Sequence, residues 1–136
     1  MTAGPADAPA PRCTLVAESK RYPQKIVRSV RFDGRDLVVE IQGPGWSFAQ
    51  VVFREVQGFR VLDERDLGEF WNAHSEPNGW LWEVHAGGWR DLERRRRTFD
   101  AMRLTQREYL LVDEKCISVL GTRPPEIVDL GADPRS

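Results

Sequence analysis

Two histidines, two cysteines and a run of arginines are the side chains in this 136-residue chain whose types could carry chemistry. Glu83 and His85 lie two apart, so on a strand they point to the same side, where a carboxylate can orient an imidazole as a general base. His74 stands alone, and neither histidine belongs to a His-Glu-x-x-His or His-x-His pattern. The plainer reading, surface or structural histidines, therefore outweighs a catalytic base, and no metal or cofactor is expected. Cys116 with His85 as its base would make a thiol nucleophile. Cys116 opens an apolar run, however, where a free cysteine usually behaves as an inert small hydrophobe. Arg94-Arg95-Arg96-Arg97 could grip phosphates, but no aromatic residues for base stacking are interleaved with it. Phosphate contacts alone also carry no sequence specificity. Gly43-Pro44-Gly45 and Gly87-Gly88 are too short to be phosphate loops and read as turns.

Tryptophan is the unusual residue. Trp71, Trp80, Trp82 and Trp89 fall close together in the chain. Trp80 and Trp82 are expected to share a core-facing side of one strand, and Trp71 to join Leu67 on a helical stripe. Trp89, between Gly88 and Arg90, is expected at the surface, where tryptophan is enriched in binding hot spots. Close to these lies a run of carboxylates, Asp63, Glu64, Asp66, Glu69 and Glu76.

The elements that must position these residues follow from their patterning. Ile26, Val30 and Phe32 are expected on one side of a strand, with Arg28 as a polar exception. Leu37, Val39 and Ile41 then alternate with Asp36, Val38 and Glu40. Asp33-Gly34 between them signals a tight hairpin with both turn residues at positive φ. A third strand spans Phe48 to Val56 with Ala49, Val51 and Phe53 on one side. Phe59 to Leu62 gives a fourth, unless Gly58 marks a bulge in one longer strand. Asp63 suits a helix N-cap, and Leu67, Phe70 and Trp71 give a short amphipathic helix. Trp80 to His85 alternates as a strand, and Asp91 to Phe99 reads as a helical turn or a loop. Glu108–Val112 and Cys116–Leu120, joined through Asp113-Glu114-Lys115, form a second hairpin, with a short piece after Pro124-Pro125. The expected fold is α+β: a mainly antiparallel sheet of about six or seven strands, holding both hairpins, with one or two short helices, one of them covering the sheet. Short connections require antiparallel neighbours.

Composition sets the frame. Hydrophobic residues make up 40% and charged residues 30%, an ordinary globular balance. Twenty basic against 21 acidic residues leave a net charge of −1, which opposes dedicated nucleic-acid binding. The sequence contains no apolar run long enough for a membrane span and no signal-peptide pattern, so a cytoplasmic location and reduced Cys13 and Cys116 are expected. Residues 1–20, with Pro5, Pro9 and Pro11, read as a tail; 21–130 as one domain; 131–136 as a second tail.

The segments Phe59-Arg60-Val61-Leu62-Asp63-Glu64 leading to Phe70-Trp71, Gly79-Trp80-Leu81-Trp82-Glu83-Val84, and Arg107-Glu108-Tyr109-Leu110-Leu111-Val112 with Cys116-Ile117-Ser118-Val119-Leu120 and Pro124-Pro125-Glu126-Ile127 resemble bacterial immunity proteins of polymorphic and contact-dependent toxin systems. The resemblance spans roughly residues 25–130 and implies a non-catalytic domain that binds and blocks a cognate toxin. Glu64, Asp66, Glu69, Glu76 and Trp89 are the expected partner-binding residues, the carboxylates meeting a basic toxin face. Two other readings stand beside it: a small enzyme or ligand-binding domain with a pocket near His85 and Glu83, and a nucleic-acid-associated protein acting through Arg94–Arg97.

Overall fold

A computed structural model describes residues 12–22, 26–43, 47–63, 79–94, 106–113 and 115–132, with the side chains of 92–94 and 132 excepted. Among the described residues nine strands form two antiparallel sheets, with one 3-10 turn and one short helix. The strands are β1 (Arg12–Leu15), β2 (Ile26–Phe32), β3 (Leu37–Gln42), β4 (Ser47–Phe53), β5 (Gly58–Asp63), β6 (Leu81–Ala86), β7 (Arg107–Leu111), β8 (Lys115–Gly121) and β9 (Glu126–Ala132). The 3-10 turn is Ala17–Arg21, and the helix, α1, is Trp89–Arg94. Among the described residues the class is mostly β, with more strands than expected. No described helix is long and apolar enough to cross a membrane.

The five-stranded sheet runs β1-β6-β7-β8-β5 and the four-stranded sheet β2-β3-β4-β9. Both expected hairpins form, but in different sheets rather than one: β2–β3 in the smaller and β7–β8 in the larger. Their sequences explain the split. Leu37, Val39 and Ile41 are buried while the residues between them are only half-buried, the mark of a sheet with one dry face. Tyr109-Leu110-Leu111-Val112 and Cys116-Ile117-Ser118-Val119-Leu120 are buried throughout, so β7 and β8, inside the larger sheet, are covered on both faces. One core lies between the sheets, joining Leu37, Val39, Ile41, Ala49, Val51 and Phe53 to Leu81, Tyr109, Leu111, Ile117 and Val119. A second cluster, Trp82, Val84, Leu110, Val112 and Cys116, lies on the other face of the larger sheet.

Several elements differ from expectation for local reasons. Arg12–Leu15, expected in the tail, pairs with β6 as an edge strand and places Cys13 beside Val84. The 3-10 turn after it is held by Trp80, whose Nε1–H donates to the carbonyls of Tyr22 (2.8 Å) and Ser19 (3.2 Å). Gly58 is no bulge: β4 and β5 belong to different sheets. The chain crosses between them through Glu55 at φ 52°, whose N–H donates to Asp36 (2.9 Å). Trp80 and Trp82 are both buried but on opposite sides of the larger sheet, because the chain bends at Trp80 before strand alternation starts. Glu126–Ala132, expected to end at Leu130, is a full edge strand against β4. The expected helix at 66–71 lies outside the described residues.

Candidate functional site

Of the expected partner-binding residues, only Trp89 lies among the described residues. Glu64, Asp66, Glu69 and Glu76 lie outside the described residues, as do His74 and Arg95–Arg97. His85 is exposed, and its Nε2 sits 2.6 Å from Thr14 Oγ1. Glu83, on the same side of β6, reaches Arg107 at 3.8 Å. Cys116 is buried on the opposite face, two strands away. It lies four residues along β8 from the level of Val84, about 14 Å at strand rise. His85 therefore cannot serve it as a base. Cys13 is no better a nucleophile, since burial, reinforced by the Glu108 carboxylate, pushes its thiol up to about 12.

Trp89 is half-buried and built into the fold. Its ring lies under the Arg60 guanidinium, 4.8 Å from centre to carbon. Its N–H and that of Arg90 donate to the two oxygens of Glu108, at 3.0 and 2.8 Å. Glu108 is 2% exposed. Burial pushes its carboxyl above the ordinary range, opposed by those two N–H groups and by Arg60. Gly88 makes the approach possible, because a Cβ there would stand 2.7 Å from both carboxylate oxygens. This assembly anchors α1 to β7; the sequence signal for it was a carboxylate directly before the continuous apolar run Tyr109-Leu110-Leu111-Val112.

A different feature is open to a partner. β2 is an edge strand, and a bulge between Val27 and Ser29 resets its alternation. Val30 and Phe32 thus stand directly opposite buried Val39 and Leu37 and share their side, while Ile26 turns to the other. The expected grouping of Ile26 with Val30 and Phe32 is broken by that bulge, with Arg28 as its extra residue. β5 is the neighbouring edge of the larger sheet, and Phe32 meets Phe59 of β5 at 5.1 Å. The apolar side chains along this seam stay wet: Phe32 is 47%, Val61 46% and Val30 36% exposed. Asp33 N–H donates to Asp36 O, which sets the phase of the β2–β3 ladder. Arg31 and Ser29 then bond inward to β3, and Val30 and Phe32 turn their N–H and C=O to the open edge. Arg28 and Arg31 are exposed on the same strand, which carries no acidic residue.

Comparison with known proteins finds no matching family model, no matching curated protein and no matching solved structure.

Proposed function

We propose that this chain is a non-enzymatic binding protein that holds and neutralises a protein toxin inside the cell that makes it. The observation that carries the binding reading is the wet apolar seam of Val30, Phe32 and Val61 beside an edge strand. Exposed apolar side chains gathered on one feature mark interaction sites far better than scattered ones do. The toxin as partner follows from the resemblance to immunity proteins. The carboxylates Glu64, Asp66, Glu69 and Glu76 supply the charge that would speed encounter with a basic toxin surface.

The test is co-purification with the product of the adjacent upstream gene, followed by growth with that product expressed in the presence and absence of this chain. A stable complex and restored growth are the expected results. A neighbour that neither binds nor harms cells overturns the reading, as does turnover of a small substrate by the purified protein that His85→Ala abolishes.

A further inference from the structure

We infer that β2 takes up an extended, acidic segment of the partner as an added strand, widening the four-stranded sheet to five. The inference rests on the binding-protein reading above and names how, and by what chemistry, the partner is held.

Three observations meet on this strand. Its backbone is available, because Val30 and Phe32 present N–H and C=O groups to the open edge and no described strand pairs there. Main-chain bonds of this kind give affinity in strand addition, and alternate side chains give specificity. Val30, Phe32 and the nearby Val61 form an apolar floor on the inner side, so an added strand would rest alternate apolar side chains there. Arg28 and Arg31 are both exposed on a strand with no carboxylate. Cross-strand pairs of opposite charge stabilise a ladder and like pairs oppose it, so the incoming strand is acidic at its other positions. A carboxylate already docks on this strand: Asp113 of the β7–β8 turn accepts the Val27 N–H at 3.0 Å.

The same charges argue against other occupants. In a two-fold pairing of β2 with its own copy, the edge-facing Val30 and Phe32 of one chain would pair with Phe32 and Val30 of the other, which sets Arg31 opposite Arg31, a like-charge contact of the sort edge strands use to prevent self-association. β9 of a second copy is acidic, but its carboxylates are engaged. Glu126 meets Arg54 at 3.6 Å, and Asp129 accepts the Gly131 N–H at 2.7 Å and the Tyr22 hydroxyl. The chain's own first eleven residues hold Pro5, Pro9 and Pro11, each without an N–H to give a ladder, and a single acid, Asp7. The carboxylate run after Asp63 addresses a basic part of the partner, so the two contributions separate under mutation.

The experiment is an NMR titration of the full chain with a capped peptide alternating valine and glutamate, matched to the 7 residues of β2. Two control peptides carry lysine for glutamate or N-methyl groups on the edge-facing amides. Expected are shifts and slowed hydrogen exchange centred on the Val30 and Phe32 amides, lost with N-methylation and absent with lysine. The Arg28→Glu/Arg31→Glu variant, whose changes are at exposed positions, is expected to bind about tenfold more weakly, two cross-strand pairs having turned repulsive. The inference is overturned by no binding, by equal binding of the two charge types, or by shifts that map elsewhere. It is also overturned if the free protein is a dimer with Val30 and Phe32 already protected, which would make a second copy the occupant. A harmless neighbour protein would end the toxin reading and leave the peptide result standing. A neutralised toxin whose complex ignores Arg28→Glu/Arg31→Glu would do the reverse.

Discussion

Glu108 is the residue on which local chemistry turns. Its buried carboxyl is raised above its ordinary value of 4.5, with burial the largest cause. A group whose folded pKa is raised stabilises fully below the unfolded value, and that contribution is lost as pH rises through the folded pKa. Glu108→Gln is therefore expected to remove a loss of stability that the wild type shows as pH climbs past 4.5, read from urea midpoints across pH. Asp33 gives the opposite sign: the Asp36 and Arg35 N–H groups lower its pKa, so its contribution is present above the unfolded value and fades as pH falls. Asp33→Asn is expected to flatten only the acid limb, which separates the two groups. Gly88→Ala would press a methyl onto the Glu108 carboxylate and is expected to destabilise by about 1–3 kcal/mol, the usual range for overpacking. None of this is visible from composition, because a glutamate in a strand looks solvent-facing until the partner element is known.

At the scale of elements, the β2–β3 hairpin was legible from Asp33-Gly34, but its turn was not. The strands are joined by four residues, with the Asp33 carboxylate accepting from Arg35 N–H (2.8 Å) and Asp36 N–H (2.7 Å). Only Gly34 has positive φ, at 96°. Gly34→Ala is expected to lower stability by about 1 kcal/mol through that backbone conformation alone, since open space surrounds the added carbon. Trp80 shows how one side chain fixes an element far away in sequence. Trp80→Phe would remove the buried donor to the Tyr22 carbonyl and one of the two donors to that of Ser19, for an expected loss of about 1–3 kcal/mol. Faster hydrogen exchange at Ser19 and Tyr22 is the accompanying signature, because each backbone N–H there closes the 3-10 turn that Trp80 holds. The β2 bulge was signalled only by Arg28 in an apolar alternation, and it decides which side chains line the open seam.

For the whole molecule, sheet order sets what can meet. Neither Cys13 nor Cys116 is in a disulfide, and the two share one face of the larger sheet, but two strands stand between theirs. At strand spacing that is about 14 Å, twice the reach of a disulfide. A thiol count in denaturant without reductant is expected to find two per chain, and native Cys13 is expected to react slowly given its raised pKa. With a toxin partner in hand, charge reversal at Glu64, Asp66 and Glu69 is expected to slow association, whereas Trp89→Ala is expected to speed dissociation, at about 2 kcal/mol. A melting curve must accompany Trp89→Ala, because Trp89 also packs under Arg60 and binds Glu108. What the sequence determined by itself was the antiparallel character and the strands with one dry face, because alternation of period two is local and survives any packing. The division into two sheets, the joining of Arg12–Leu15 to β6, the separation of Trp80 from Trp82 and the distance from Cys116 to His85 were decided only in three dimensions. Each depends on pairing between segments far apart in the chain, where apolar runs such as Tyr109–Val112 fit a strand covered on both faces without naming the neighbours that cover it.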